Sequence, residues 1–158
     1  MADIIKVGDK APDFELPATT KETISLSSLL GTGPLLVLFY PLDWSPVCTG
    51  ELCSLRSDFN DYAELGATVI AISVDSIFCH KAFAEHNGIS IPLLSDFNKT
   101  VCQAYGVLYP ELMGLNGVAK RAAFVLDGEG IVRYAWVSED PLKLPDFAAI
   151  KKQIELLR

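Results

Sequence analysis

Apolar residues recur along this chain in two rhythms, one unbroken and one helical, and their order predicts the architecture. Asp13 to Leu16 and Thr23 to Leu26 alternate apolar with polar residues around a polar turn at Thr19-Thr20-Lys21, the pattern of a hairpin. After the break at Gly31-Thr32-Gly33-Pro34, Leu35 to Tyr40 is continuously apolar, as in a strand buried on both faces. Leu52, Leu55, Phe59, Tyr62 and Leu65 then recur near the helical period, predicting a helix over 47–65 that Gly66 stops. Ala67 to Val74 reads as a second buried strand. Asp75 and Ser76 can cap a helix running to Asn87, which Gly88 ends. Pro92-Leu-Leu-Ser suggests a short strand or turn, and Lys99 to Tyr105 a short helix. Ala122 to Leu126 and Ile131 to Trp136, joined by Asp127-Gly128-Glu129-Gly130, carry a strong hairpin signal. A last helix from Pro145 to Leu157 places Phe147, Ile150, Ile154 and Leu157 on one face.

Two buried strands joined by a helix imply a parallel core with a right-handed crossover. The late hairpin adds antiparallel strands. The expected fold is therefore α/β, a mixed central sheet flanked by helices with an N-terminal hairpin extension, in one domain over 1–158. The order is thioredoxin-like, although order alone fits several folds.

Composition narrows the function classes. Of the 158 residues, 50% are hydrophobic and 21% charged, ordinary values for a soluble domain. No apolar run approaches the roughly 20 residues of a membrane helix, so no membrane partner is expected. The opening Met-Ala-Asp-Ile-Ile-Lys lacks a basic segment followed by an apolar stretch, which makes a cytoplasmic location the default expectation. The net charge is −7 with no run of Lys or Arg, so nucleic acid binding is disfavoured.

Four cysteines, Cys48, Cys53, Cys79 and Cys102, sit in a chain expected in a reducing compartment, where catalysis, metal binding or inert burial are the options. Their spacing is poor for zinc, and Cys79-His80 is adjacent rather than spaced. Neither a metal nor another cofactor is expected. Cys48 follows the carboxyl end of a buried parallel strand, where open α/β sheets place ligands. Pro46 favours helix initiation there, so Cys48 falls in a first turn among N–H groups that lack intrahelical partners. Such a position stabilises a thiolate, yet an inert buried cysteine at a strand–helix junction reads the same way.

Context separates the two readings. Pro41, Ser45 and Cys48 reproduce the Pro-x-x-x-(Thr/Ser)-x-x-Cys signature of peroxiredoxins, after the Phe39-Tyr40 typical of the strand. The chain also resembles that family at Arg121, which opens Arg-Ala-Ala-Phe-Val-Leu-Asp-Gly-Glu-Gly, at Gly8-Asp-Lys-Ala-Pro-Asp-Phe and at Ile72-Ser-Val-Asp-Ser. The likeness runs from about residue 6 to 157, with features of the bacterioferritin-comigratory-protein and alkyl-hydroperoxide-reductase-E branches. It implies a thiol peroxidase that reduces hydrogen peroxide and alkyl hydroperoxides. Cys48 would be the peroxidatic nucleophile, and Ser45 would contact it and the peroxide through its hydroxyl. Pro41 would shield the thiolate, Arg121 would hold it and polarise the peroxide, and Glu51 would orient the arginine. Bond cleavage needs that combination of an ionised nucleophile and donors where charge develops on the leaving oxygen.

A sulfenic acid must then be discharged by a second thiol. Cys53 matches the resolving position of the first branch, with thioredoxin or a similar thiol as reductant. Five helical residues rise roughly 7.5 Å and turn about 140°, so the first helical turn must unwind before a Cys48–Cys53 disulfide forms. A one-cysteine cycle and resolution by Cys79 stay open. Cys102 reads as core packing, and the two histidines, His80 and His86, as surface residues of the helix after Ser76. A disulfide oxidoreductase would favour Cys-x-x-Cys, and a cysteine hydrolase would leave Arg121 and Ser45 unexplained. A redox sensor or holdase on the same fold is the non-catalytic alternative. Family analogy allows a monomer or a homodimer, with Trp44 as a contact.

Overall fold

The computed structural model describes residues 3–157; Met1 and Ala2 of the N-terminal reading and Arg158 of the domain lie outside them. In chain order the elements are β1 (Glu15–Pro17), β2 (Thr23–Ser25), α1 (Leu26–Leu29), β3 (Leu35–Phe39), α2 (Pro46–Ser57), α3 (Phe59–Glu64) and β4 (Thr68–Ser73). Then follow α4 (Ile77–Asn87), β5 (Leu93–Ser95), α5 (Thr100–Ala104), β6 (Leu108–Tyr109), β7 (Val118–Ala119), β8 (Arg121–Leu126), β9 (Val132–Ser138) and α6 (Phe147–Leu156).

The main sheet has the order β5-β4-β3-β8-β9. β3 runs parallel to β4 and antiparallel to β8, so the expected mixed sheet is present, and β1 and β2 pair as the N-terminal hairpin. Period-two alternation divides β3 between two cores. Leu35, Val37 and Phe39 pack with Phe14, Cys102, Tyr105 and Phe124 on one face. Leu36, Leu38 and Tyr40 pack on the other with Cys48 and Leu52 from α2, Phe83 from α4, and Ile150 and Ile154 from α6. That double burial is why the strand is continuously apolar. No described helix is long and apolar enough to cross a membrane.

Strand ends shift by one or two residues from the sequence expectation, the short β6–β7 pair was not expected, and two helices differ more. The helix expected over 47–65 is two helices that meet at Asp58, whose backbone (φ −95°, ψ 6°) leaves the helical region. The apolar period continues through the break because α2 and α3 bury the same side, with Leu52, Leu55 and Tyr62 in one core. The last helix starts after Asp146, whose side chain accepts from the Ala149 N–H as an N-cap. Pro145 therefore lies outside it.

His80 corrects a further expectation. It is only 2% exposed rather than a surface residue, because its ring nitrogens face Asp43 and the Leu94 carbonyl across the α4–β5 contact. His86, one and a half turns on, is exposed as expected.

Candidate active site

α2 begins at Pro46 with Ser45 as N-cap, which puts Cys48 in its first turn, fully buried. Thr49 donates to the Ser45 carbonyl from both its N–H (2.9 Å) and its hydroxyl (2.8 Å), closing that turn. Glu51 is one turn further on, facing the same core and 1% exposed.

Arg121 reaches this helix through sheet register. Phe39, the last residue of β3, pairs with Ala122, so the first residue of β8 lies beside the point where the chain leaves β3 for α2. Its guanidinium uses three donors. Nη2 donates to Cys48 Sγ at 3.0 Å, Nη1 to Glu51 Oε1 at 3.1 Å, and Nε to the Pro141 carbonyl at 3.0 Å. Both members of the Arg121–Glu51 ion pair are 1% exposed. Burial pushes the Glu51 carboxyl up to about 7, against the opposing pull of Arg121. Pro141 is a partner the sequence did not signal, since a backbone carbonyl in a loop carries no residue signature.

The segment from Tyr40 to Ser45 joins β3 to the nucleophile's turn. Pro41 is buried. Ser45 departs from expectation: its hydroxyl donates to the Leu42 carbonyl at 3.2 Å and makes no hydrogen bond to Cys48. Serine lacks the methyl that restricts threonine's χ1, so the hydroxyl is free to turn into its own loop. Trp44 has φ 71°, the left-handed region, a conformation that costs a bulky residue about 1 kcal/mol or more. Its ring packs on Phe83 and His86, each 5.3 Å between centroids.

The remaining thiols are set apart. Cys53 lies on α2, half-buried, with Sγ 3.8 Å from Asn87 Oδ1. Cys79 opens α4, where burial and then the carboxylates of Asp43 and Asp75 push its thiol up to about 11. Cys102 is fully buried, and burial followed by Asp96 raises its thiol strongly. Asp43, Asp75 and Cys79 bring possible metal ligands within 4.8 Å of one another. Their carboxylates are already occupied by Tyr40, His80, Ser73 and the Asp43 N–H, so the donor set does not fit a metal centre. A cavity of about 590 Å³ lies elsewhere, between the β1–β2 turn and α4, lined by Ala18, Phe78 and Ile91 among others.

A buried cysteine in a helix's first turn, held by an arginine from a distant strand, defines a site built for thiol chemistry, and residues 7–135 match the AhpC/TSA family. The chain belongs to that family: it is a peroxiredoxin, an enzyme of the thiol peroxidase class. It is 36% identical over 135 residues to the putative peroxiredoxin bcp of Coxiella burnetii, spanning 84% of this chain and 88% of that protein. It is 37% identical over 134 residues to alkyl hydroperoxide reductase E of Mycobacterium tuberculosis, spanning 84% and 85%. Among solved structures it resembles peroxidoxin BcpB of Mycobacterium tuberculosis, with TM-score 0.85, 35% identity, and 98% and 99% of the two chains covered.

Proposed function

We propose that this peroxidase reduces hydrogen peroxide and alkyl hydroperoxides through Cys48 and resolves the product with Cys53. The Cys48 thiolate attacks the terminal peroxide oxygen, forming an S–O bond as the O–O bond breaks. The leaving hydroxide or alkoxide takes a proton from water, and Cys48 becomes a sulfenic acid. The carrying observation is the 3.0 Å contact of Arg121 with Sγ, backed by Glu51 at 3.1 Å. A fixed guanidinium beside the sulfur favours the thiolate and offers donors to the peroxide oxygens without reorganisation. Pro41 excludes water from the turn. Ser45 serves as N-cap, and rotation of its hydroxyl away from Leu42 would bring it to the peroxide.

Resolution follows when the Cys53 thiol attacks the sulfenic sulfur, releasing water and forming the Cys48–Cys53 disulfide. Both cysteines sit on α2, so its first turn unwinds once per cycle. Thioredoxin or a similar dithiol, acting in a reducing compartment such as the cytoplasm, then exchanges with the disulfide. The 48%-exposed Trp44 suits a homodimer contact if one forms.

Peroxide turnover with a thioredoxin system, in wild type, Cys48→Ser and Cys53→Ser, tests the scheme. Loss in both variants supports the two-cysteine cycle. Loss in Cys48→Ser alone moves resolution to Cys79 or an external thiol. Full activity without Cys48 overturns the assignment of the nucleophile.

A further inference from the structure

The six residues between β3 and α2 include Pro41 and Ser45, and beyond the Tyr40 N–H, which donates to the Ile72 carbonyl of β4 at 3.1 Å, they lie outside the strands. Besides that bond and the packing of Trp44 on Phe83 and His86, they are tied to the rest of the molecule by a buried polar network centred on Asp43, whose side chain is fully buried. Asp43 Oδ1 accepts from the Tyr40 hydroxyl at 2.6 Å, and Oδ2 lies 2.7 Å from His80 Nδ1. The Asp43 N–H donates to Asp75 Oδ2 at 2.8 Å, and the same oxygen accepts from Ser73 Oγ at 2.6 Å. His80 Nε2 lies 3.1 Å from the Leu94 carbonyl.

Counting protons fixes the sense of these bonds. Leu94 O can only accept, so Nε2 carries a proton and donates it. Nδ1 faces a carboxylate oxygen of Asp43, the ring's second polar partner. The Tyr40 hydroxyl, kept protonated by burial and then by Asp43, supplies a second donor. His80 thus spans from β5 to the loop, with both ring nitrogens engaged. Immediately after Asp43 the backbone turns through the left-handed conformation of Trp44 (φ 71°), which a bulky residue keeps only when its surroundings impose it. The groups facing His80 are Asp43 and Tyr40 from the loop, Asp75 from the end of β4, and Leu94 from β5; Cys79 precedes it on α4.

We infer that Asp43 and His80 are positioning residues for the peroxidase reaction. Their bond holds the Pro41–Ser45 segment in the register that aligns a peroxide over the Cys48 sulfur. This rests on the reading of Cys48 as nucleophile. The network touches the loop and not Sγ, so it sets the peroxide's alignment and leaves the intrinsic reactivity of the thiol to Arg121. Neither residue belongs to the signature formed by Pro41, Ser45 and Cys48, and His80 is joined to the site only by tertiary contact.

Two rates measured on the reduced protein separate alignment from thiol reactivity. One is Cys48 sulfenic acid formation by hydrogen peroxide, trapped with dimedone and read by mass spectrometry. The other is Cys48 alkylation by iodoacetamide, which needs the thiolate but no peroxide alignment. Asp43→Asn and His80→Gln are expected to slow peroxide oxidation about tenfold or more, with alkylation unchanged or faster. The double variant is expected to lose no more than the worse single one, because both act through one bond. Tyr40→Phe removes one hydroxyl and keeps the packing; it should show the same split at about threefold and serves if the others do not fold. Wild-type oxidation rates in the folded variants overturn the proposal. So does an equal fall in both rates, the mark of general loosening. Cys48→Ser run in parallel identifies the separate case in which the nucleophile is misassigned, since peroxide consumption would then persist without it.

Discussion

Arg121 and Cys48 are 73 positions apart in the chain, and Nη2 of one lies 3.0 Å from the sulfur of the other. The guanidinium is held by Glu51 on Nη1 and the Pro141 carbonyl on Nε, which leaves Nη2 to point at the thiol. An ion pair buried to 1% exposure on both sides is costly to desolvate and is weak evidence for stability. Its cost is repaid in placement of the donor.

Replacing Arg121 by lysine keeps a cation but not the fork. A single ammonium cannot serve Pro141, Glu51 and Cys48 together. We expect the second-order rate of Cys48 oxidation by hydrogen peroxide in Arg121→Lys to fall by about 10²-fold, measured by stopped-flow mixing, with native circular dichroism retained.

Glu51 makes stability depend on pH in a definite direction. Its carboxyl titrates near 7 in the folded chain against an ordinary value of 4.5, so the folded state binds the proton more tightly. The associated stabilisation is complete below about 4.5 and is lost as pH rises through about 7. Over that window wild type should lose up to about 3 kcal/mol relative to Glu51→Gln. Urea unfolding of both proteins between these limits checks the slope; parallel curves would assign the pH dependence to other groups.

The four thiols should separate by alkylation. Cys79, held near 11 by burial and two carboxylates, should label slowly at neutral pH and speed up as pH rises. Cys102 should stay unlabelled until the protein unfolds. If Cys53 is the resolving thiol, Cys79→Ser should keep steady-state turnover within about twofold.

Gly33 turns the chain into β3 at φ 143°, and a Cβ there would land on the carbonyl oxygen of Gly66. Both atoms belong to backbone that packs closely where β3 and β4 begin. Gly33→Ala should destabilise the protein by about 2 kcal/mol, seen as a Tm lower by roughly 5 °C, with the peroxide rate unchanged in the folded fraction.

The sequence itself determined the strands of the main sheet, the N-terminal hairpin and the nucleophile's setting, but not the two-residue strands β6 and β7, which are too short to carry a period. A strand buried on both faces has to be apolar throughout, as Leu35 to Phe39 is, and proline at the first helical position announces where α2 starts. The motif Pro41-Ser45-Cys48 is local, and Arg121 and Glu51 were legible through resemblance. The break at Asp58 was not, because the apolar period runs on through it. Only the tertiary structure decided the rest. Antiparallel pairing of β3 with β8 set Arg121 against the sulfur, and a carbonyl of Pro141 completed its cradle. A histidine that read as a surface residue became buried because an aspartate 37 positions earlier and a carbonyl 14 positions later met both its nitrogens. Periodicity reports which side of an element faces the core; which polar group waits there is set by chain crossings that no local pattern encodes.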